Sequence, residues 1–145
     1  MNTELSAVAR RHLRIGWLGL VAFVVLGLVL EAFHAFKVPL YLDVGNETRR
    51  LMWTLAHAHG TLLSLVQLAV ASTAALLGAD VVSEAASRAM LAGWALLPLG
   101  FFLGGIGTFG GDPGPGVFLA PVGALATLLG MVLVARRVWA ATART

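Results

Sequence analysis

Three histidines in apolar surroundings carry the chemistry open to this chain. His57 and His59 stand in the stretch Trp53-Thr54-Leu55-Ala56-His57-Ala58-His59-Gly60-Thr61, and His34 closes the preceding apolar run, three residues after Glu31. Neutral imidazole ligates haem iron, copper and zinc, and a carboxylate beside it favours zinc or a non-haem metal. An imidazole buried among apolar groups is costly without a hydrogen-bond partner or a ligand, so each ring needs a counterpart.

Helical geometry turns His57 and His59 about 200° apart, so a regular helix cannot join them on one ion. The His57 face carries Arg50, Trp53, Thr54, Thr61 and Ser64 and is expected to look into the protein. The His59 face carries Met52, Leu62, Leu63, Val66 and Val70, which leaves that ring in need of a ligand, a partner helix or a second subunit. His34 lies at a similar depth on the preceding span, and consecutive antiparallel helices are usually neighbours. The expected site is therefore His34 with His57 or His59, with Glu31 nearby and Asp112 descending from a glycine-rich loop.

Its expected occupant is haem b or a copper or zinc ion. Two axial histidines from different spans would grip haem iron, and the glycines of the first span with Gly60 would let the flat macrocycle approach. The competing reading is that the histidines hydrogen-bond across helices and to loop backbone near the membrane surface. His12, beside Arg10, Arg11 and Arg14, reads as solvated surface, and Gln67 as a polar contact inside the bundle.

The elements that position these residues follow from composition. The chain has 145 residues, 59% hydrophobic and 12% charged, about half the charge of an ordinary globular domain. Its mean hydropathy is +0.88. That is the composition of an integral membrane protein, with length for four spans and no sizeable soluble domain. The chain has no cysteine, which excludes disulfides, thiolate metal sites and iron–sulfur clusters.

The fold expected is an all-α, integral membrane four-helix bundle. Residues 1–14 form a polar cytoplasmic interfacial segment with Thr3 as its helix cap. Spans follow over 15–36, 50–77, 86–103 and 117–135 within a 15–140 bundle, and 141–145 form a cytoplasmic tail. The first run is too long for a signal-peptide core and is expected to be retained as an anchor. Lys37 and Tyr41 mark an interface, Ser83 followed by Glu84 suits a helix start, and Pro98 a kink.

Basic residues set the orientation. Arg10, Arg11, Arg14, Arg88, Arg136, Arg137 and Arg144 fall on one side and Lys37, Arg49 and Arg50 on the other. The larger group marks the cytoplasm, so both termini lie there, and the histidines and the glycine loop lie at the outer leaflet. These arginines serve topology, and nucleic acid is not an expected partner.

Seven of the thirteen residues from Gly104 to Gly116 are glycine, which argues against ordinary helix there. The segment reads as a tight crossover whose Gly-Asp-Pro-Gly supplies turn chemistry, or as an anion-binding nest with Asp112 able to take a cation. No Gly-Lys-Ser or Gly-Lys-Thr follows, so it is not a P-loop. No nucleophile has an acid–base partner fixed by sequence, and the spans carry no midplane carboxylates of the kind a transport path uses.

The motif His57-Ala58-His59-Gly60 leading into an apolar helix resembles small four-span bacterial membrane proteins with a His-x-His-Gly motif. It is also similar to histidine-bearing spans of haem–copper oxidase-related proteins. The likeness covers Leu55 to Leu68 and carries over no functional residue. Membrane glutathione transferases, another four-span family, need charged signatures that this chain lacks.

The functional expectation is a multi-pass protein of the inner (plasma) membrane with a histidine-based metal or haem site near the outer leaflet, of redox character. Its partners are the lipid bilayer and a homo-oligomer or larger complex. The contrasting expectation is a non-catalytic subunit or assembly factor of such a complex.

Overall fold

The computed structural model describes residues 5–143. Thr3 and Arg144 lie outside them. Ser6 is the cap that starts the first helix, its hydroxyl accepting the Ala9 N–H at 3.1 Å. That helix, α1, runs Ala7–Ala35. Interfacial segment and first span are thus one helix, because no breaker separates them and Ala9 and His12 are already buried.

Helix α2 runs Thr48–Leu77 and stops at Gly78, whose φ of 97° ends the helical path. A short 3-10 turn over Ala79–Val81 leads to α3, Glu84–Ile106, which Ser83 caps by accepting the Ala86 N–H at 3.2 Å, as the Ser-Glu pair predicts. Pro98 is inside α3 and buried. A second 3-10 turn, Pro115–Phe118, delivers the chain to α4, Leu119–Thr142.

All four helices are long and apolar enough to cross a membrane. The shortest has 23 residues, about 35 Å of helix against a hydrocarbon core of about 30 Å. Trp17, Leu18 and Val21 of α1 and Leu125, Leu128 and Leu129 of α4 are exposed on the isolated chain, as lipid-facing residues are.

The helices pack chiefly in chain order, α1 on α2, α2 on α3, α3 on α4. Helix α2 is therefore interior on two sides. Its buried residues, Met52, Ala56, Gly60, Leu63, Ser64, Gln67, Val70, Ala71 and Ala74, recur at the three-and-four spacing of a packed helix. Of the His59 face, Met52, Leu63 and Val70 pack against α3, at Gly105, Leu97 and Met90, whereas Leu62 is exposed.

The glycine-rich segment is helical for longer than its composition suggests. Gly104 and Gly105 belong to the last turn of α3 and are buried, with Val117 and the Trp53 indole seated against them. The turn comes later. Phe109 and Asp112 exchange backbone hydrogen bonds at 3.1 and 2.9 Å around Gly110 and Gly111, both at positive φ as a type I′ turn requires.

Candidate functional site

His57 projects from α2 toward α1. Its Nδ1–H donates to the Phe23 carbonyl at 2.7 Å. The ring can come this close because it lies over Gly27, where a methyl group would sit 2.8 Å from Nδ1. Since Nδ1 carries the proton, Nε2 is the lone-pair nitrogen, and no hydrogen bond from the described residues reaches it. The ring lines a cavity of about 260 Å³ together with Glu31, Tyr41, Thr54, Val24 and Leu28. One turn further along the same face of α2, the Thr61 hydroxyl is buried and makes no hydrogen bond with the described residues.

A second cavity of about 410 Å³ lies alongside, lined by His34, Arg50, Glu47, Thr48 and Leu51, and it shares Tyr41 and Thr54 with the first. Tyr41 lines both. Only 6% exposed, it packs between Phe33 and Trp53, ring centroids 6.1 and 6.4 Å away, and its hydroxyl meets Thr54 Oγ1 at 3.3 Å. Trp53 continues the stack onto Phe102 at 5.9 Å and donates its Nε1–H to the Phe102 carbonyl at 3.1 Å. Tyr41, which the sequence reading finds suited to a headgroup layer, is folded inward onto this aromatic stack by the link between α1 and α2.

The expected ligands are thus distributed over separate surroundings. His57 and Glu31 share one cavity. His34, exposed, lines the other. His59 faces α3, its ring 4.9 Å from that of Phe101 and its Nδ1–H donating to the Leu55 carbonyl one turn back at 2.9 Å. Asp112 is held by the backbone of its turn and lines neither cavity. Among the described residues, no three His, Cys, Asp or Glu side chains gather as a metal-binding group.

His12 is the polar residue that sequence reasoning misplaced. It is 0% exposed. Its Nδ1–H donates to Gln67 Oε1, its Nε2 accepts from the Ser87 hydroxyl at 2.8 Å, and the Gln67 amide N–H donates to the Met90 carbonyl at 3.0 Å. The signal was present in α1, where Ala9, His12, Gly16 and Gly19 recur at three-and-four spacing and all are buried. Its arginine neighbours point elsewhere, Arg11 pairing with Glu84 at 2.8 Å.

No family model, curated protein or solved structure matches this chain.

Proposed function

We propose that this chain is a multi-pass protein of the bacterial inner membrane that holds a histidine-ligated metal ion, copper or zinc, at the outer leaflet. The observation that carries the reading is the bond from His57 Nδ1–H to the Phe23 carbonyl. Metal-ligating histidines are held in this way, because a hydrogen bond at one nitrogen fixes the tautomer and aims the other. Glu31 in the same cavity is the second ligand, and the unsatisfied Thr61 hydroxyl nearby is a polar group available to a bound water. Copper or zinc is preferred to haem in this reading because His34 and His57 line different cavities.

Elemental analysis of the detergent-purified protein is expected to find about one copper or zinc per chain. His57→Ala is expected to abolish binding, while His34→Ala and His59→Ala retain it. Metal absent from the wild type, or retained after His57→Ala, overturns the assignment.

Both termini are cytoplasmic in this reading, supported by seven basic residues against three. The chain has no cysteine, so single cysteines at the exposed positions Val44 and Ala79 report topology directly. A membrane-impermeant maleimide applied to intact cells is expected to label position 44 and spare position 79. The reverse pattern would invert the orientation.

A second reading, a non-catalytic subunit of a larger membrane complex, is favoured by His59. Its Nε2 has no hydrogen-bond partner among the described residues, and the exposed Leu62 lies close along the same face of α2. A neighbouring subunit would supply the missing donor.

A further inference from the structure

The larger cavity next to the His57 site has a chemistry of its own. Two adjacent arginines at the start of α2 are used in opposite ways. Arg49 is fully engaged, donating to the Gly105 carbonyl at 3.0 Å, the Leu40 carbonyl at 3.1 Å and Thr108 Oγ1 at 3.3 Å. It is a strut between α2, the preceding link and the end of α3. Arg50 lines the cavity and, among the described residues, has a single ion-pair contact, Nη2 to Glu47 Oε1 at 3.3 Å. Glu47 is 66% exposed, and an ion pair of that kind contributes little, so Arg50 can exchange it for another anion at small cost.

The other polar groups of the wall sort themselves in the same way. The Thr48 hydroxyl donates to the Gly111 carbonyl, and Thr54 is bonded to Tyr41. Arg50 and the exposed His34 are therefore the wall residues with donors to spare. A guanidinium with free N–H groups matches the paired oxygens of a phosphate. Below Arg50 the surface turns apolar. Leu51, 55% exposed, lines the same cavity and begins a line of exposed leucines that includes Leu62 and Leu65. The cavity is polar at the helix end and bordered by hydrocarbon along the span, the profile of a phosphate head with acyl chains.

We propose that this cavity binds the phosphate of an anionic membrane lipid, with Arg50 as the main donor, His34 as the second, and the acyl chains passing Leu51 along α2. The site adjoins the His57 cavity, with which it shares Tyr41 and Thr54, and does not depend on a metal ion there.

The test is native mass spectrometry of the delipidated, metal-free full chain in detergent. Added phosphatidylglycerol is expected to give a one-to-one adduct at a concentration at least tenfold below that needed for phosphatidylcholine. Arg50→Gln is expected to weaken the adduct at least tenfold, and Arg50→Lys less, because lysine keeps the charge and loses the paired geometry. His57→Ala and the double variant Arg136→Gln/Arg137→Gln, at the other end of the bundle, are expected to bind as the wild type does. Equal binding of phosphatidylcholine, or a phosphatidylglycerol adduct indifferent to Arg50→Gln while the melting temperature is unchanged, overturns the proposal. So does glycerol 3-phosphate displacing the lipid at equal concentration, which would assign the cavity to a soluble phosphate.

Discussion

Gly123→Ala is expected to lower the melting temperature of the detergent-solubilised protein by roughly 6 °C, corresponding to a net loss of about 2 kcal/mol. Helix α4 meets α3 at Gly123 backbone to backbone. A methyl group there would lie 2.8 Å from Leu97 Cα and 2.9 Å from the Leu96 carbonyl carbon. No rotamer change relieves a clash with main-chain atoms, so the helices must separate along their length. Between membrane helices the lipid is as apolar as the side chains, and close packing supplies most of the association energy. Overpacking of this kind costs about 1–3 kcal/mol or more and outweighs the helix propensity of up to about 1 kcal/mol that alanine adds. Gly107→Ala is the control. A Cβ at Gly107 meets nothing within 4 Å, and a change within about 0.5 kcal/mol is expected. A Gly123→Ala protein as stable as wild type would mean that α3 and α4 do not meet at this point.

The four apolar helices and the splitting of His57 from His59 were legible in the sequence because both depend only on composition and helical period. What each ring meets was not. The partner of His57 is a main-chain carbonyl, at Phe23, and every residue carries one, so no pattern of side chains marks it. Tyr41 has the profile of an interfacial aromatic. Its burial follows from the fold of the link between α1 and α2 and from the stack that Phe33, Trp53 and Phe102 offer it. Arg49 and Arg50 are identical in type and adjacent in sequence. Only the arrival of the α3 end and Thr108 beside one of them separates a strut from a residue paired with exposed Glu47 alone among the described residues.

His12→Leu is expected to destabilise the protein by about 3 kcal/mol, the largest loss for a single polar side chain here. The His12, Gln67 and Ser87 side chains link α1, α2 and α3, each at most 1% exposed. Every polar atom of the link is satisfied in one tautomer, since Met90 needs the Gln67 amide N–H and so leaves Oε1 to accept from His12. Removing the imidazole leaves Gln67 Oε1 buried without a donor and Ser87 without its acceptor, and each such group costs about 1–3 kcal/mol. Ser87 can recover by turning to the carbonyl one turn back in α3, whereas Gln67 cannot. The double variant His12→Leu/Gln67→Leu is therefore expected to lose less than the sum of the two single variants, by at least about 1 kcal/mol, because the second change removes the polar group that the first one stranded. Thermal unfolding of the four proteins in one detergent measures this coupling. Additive losses would mean that His12 and Gln67 act independently, and a single variant as stable as wild type would return His12 to the solvated surface where its arginine neighbours suggest it belongs.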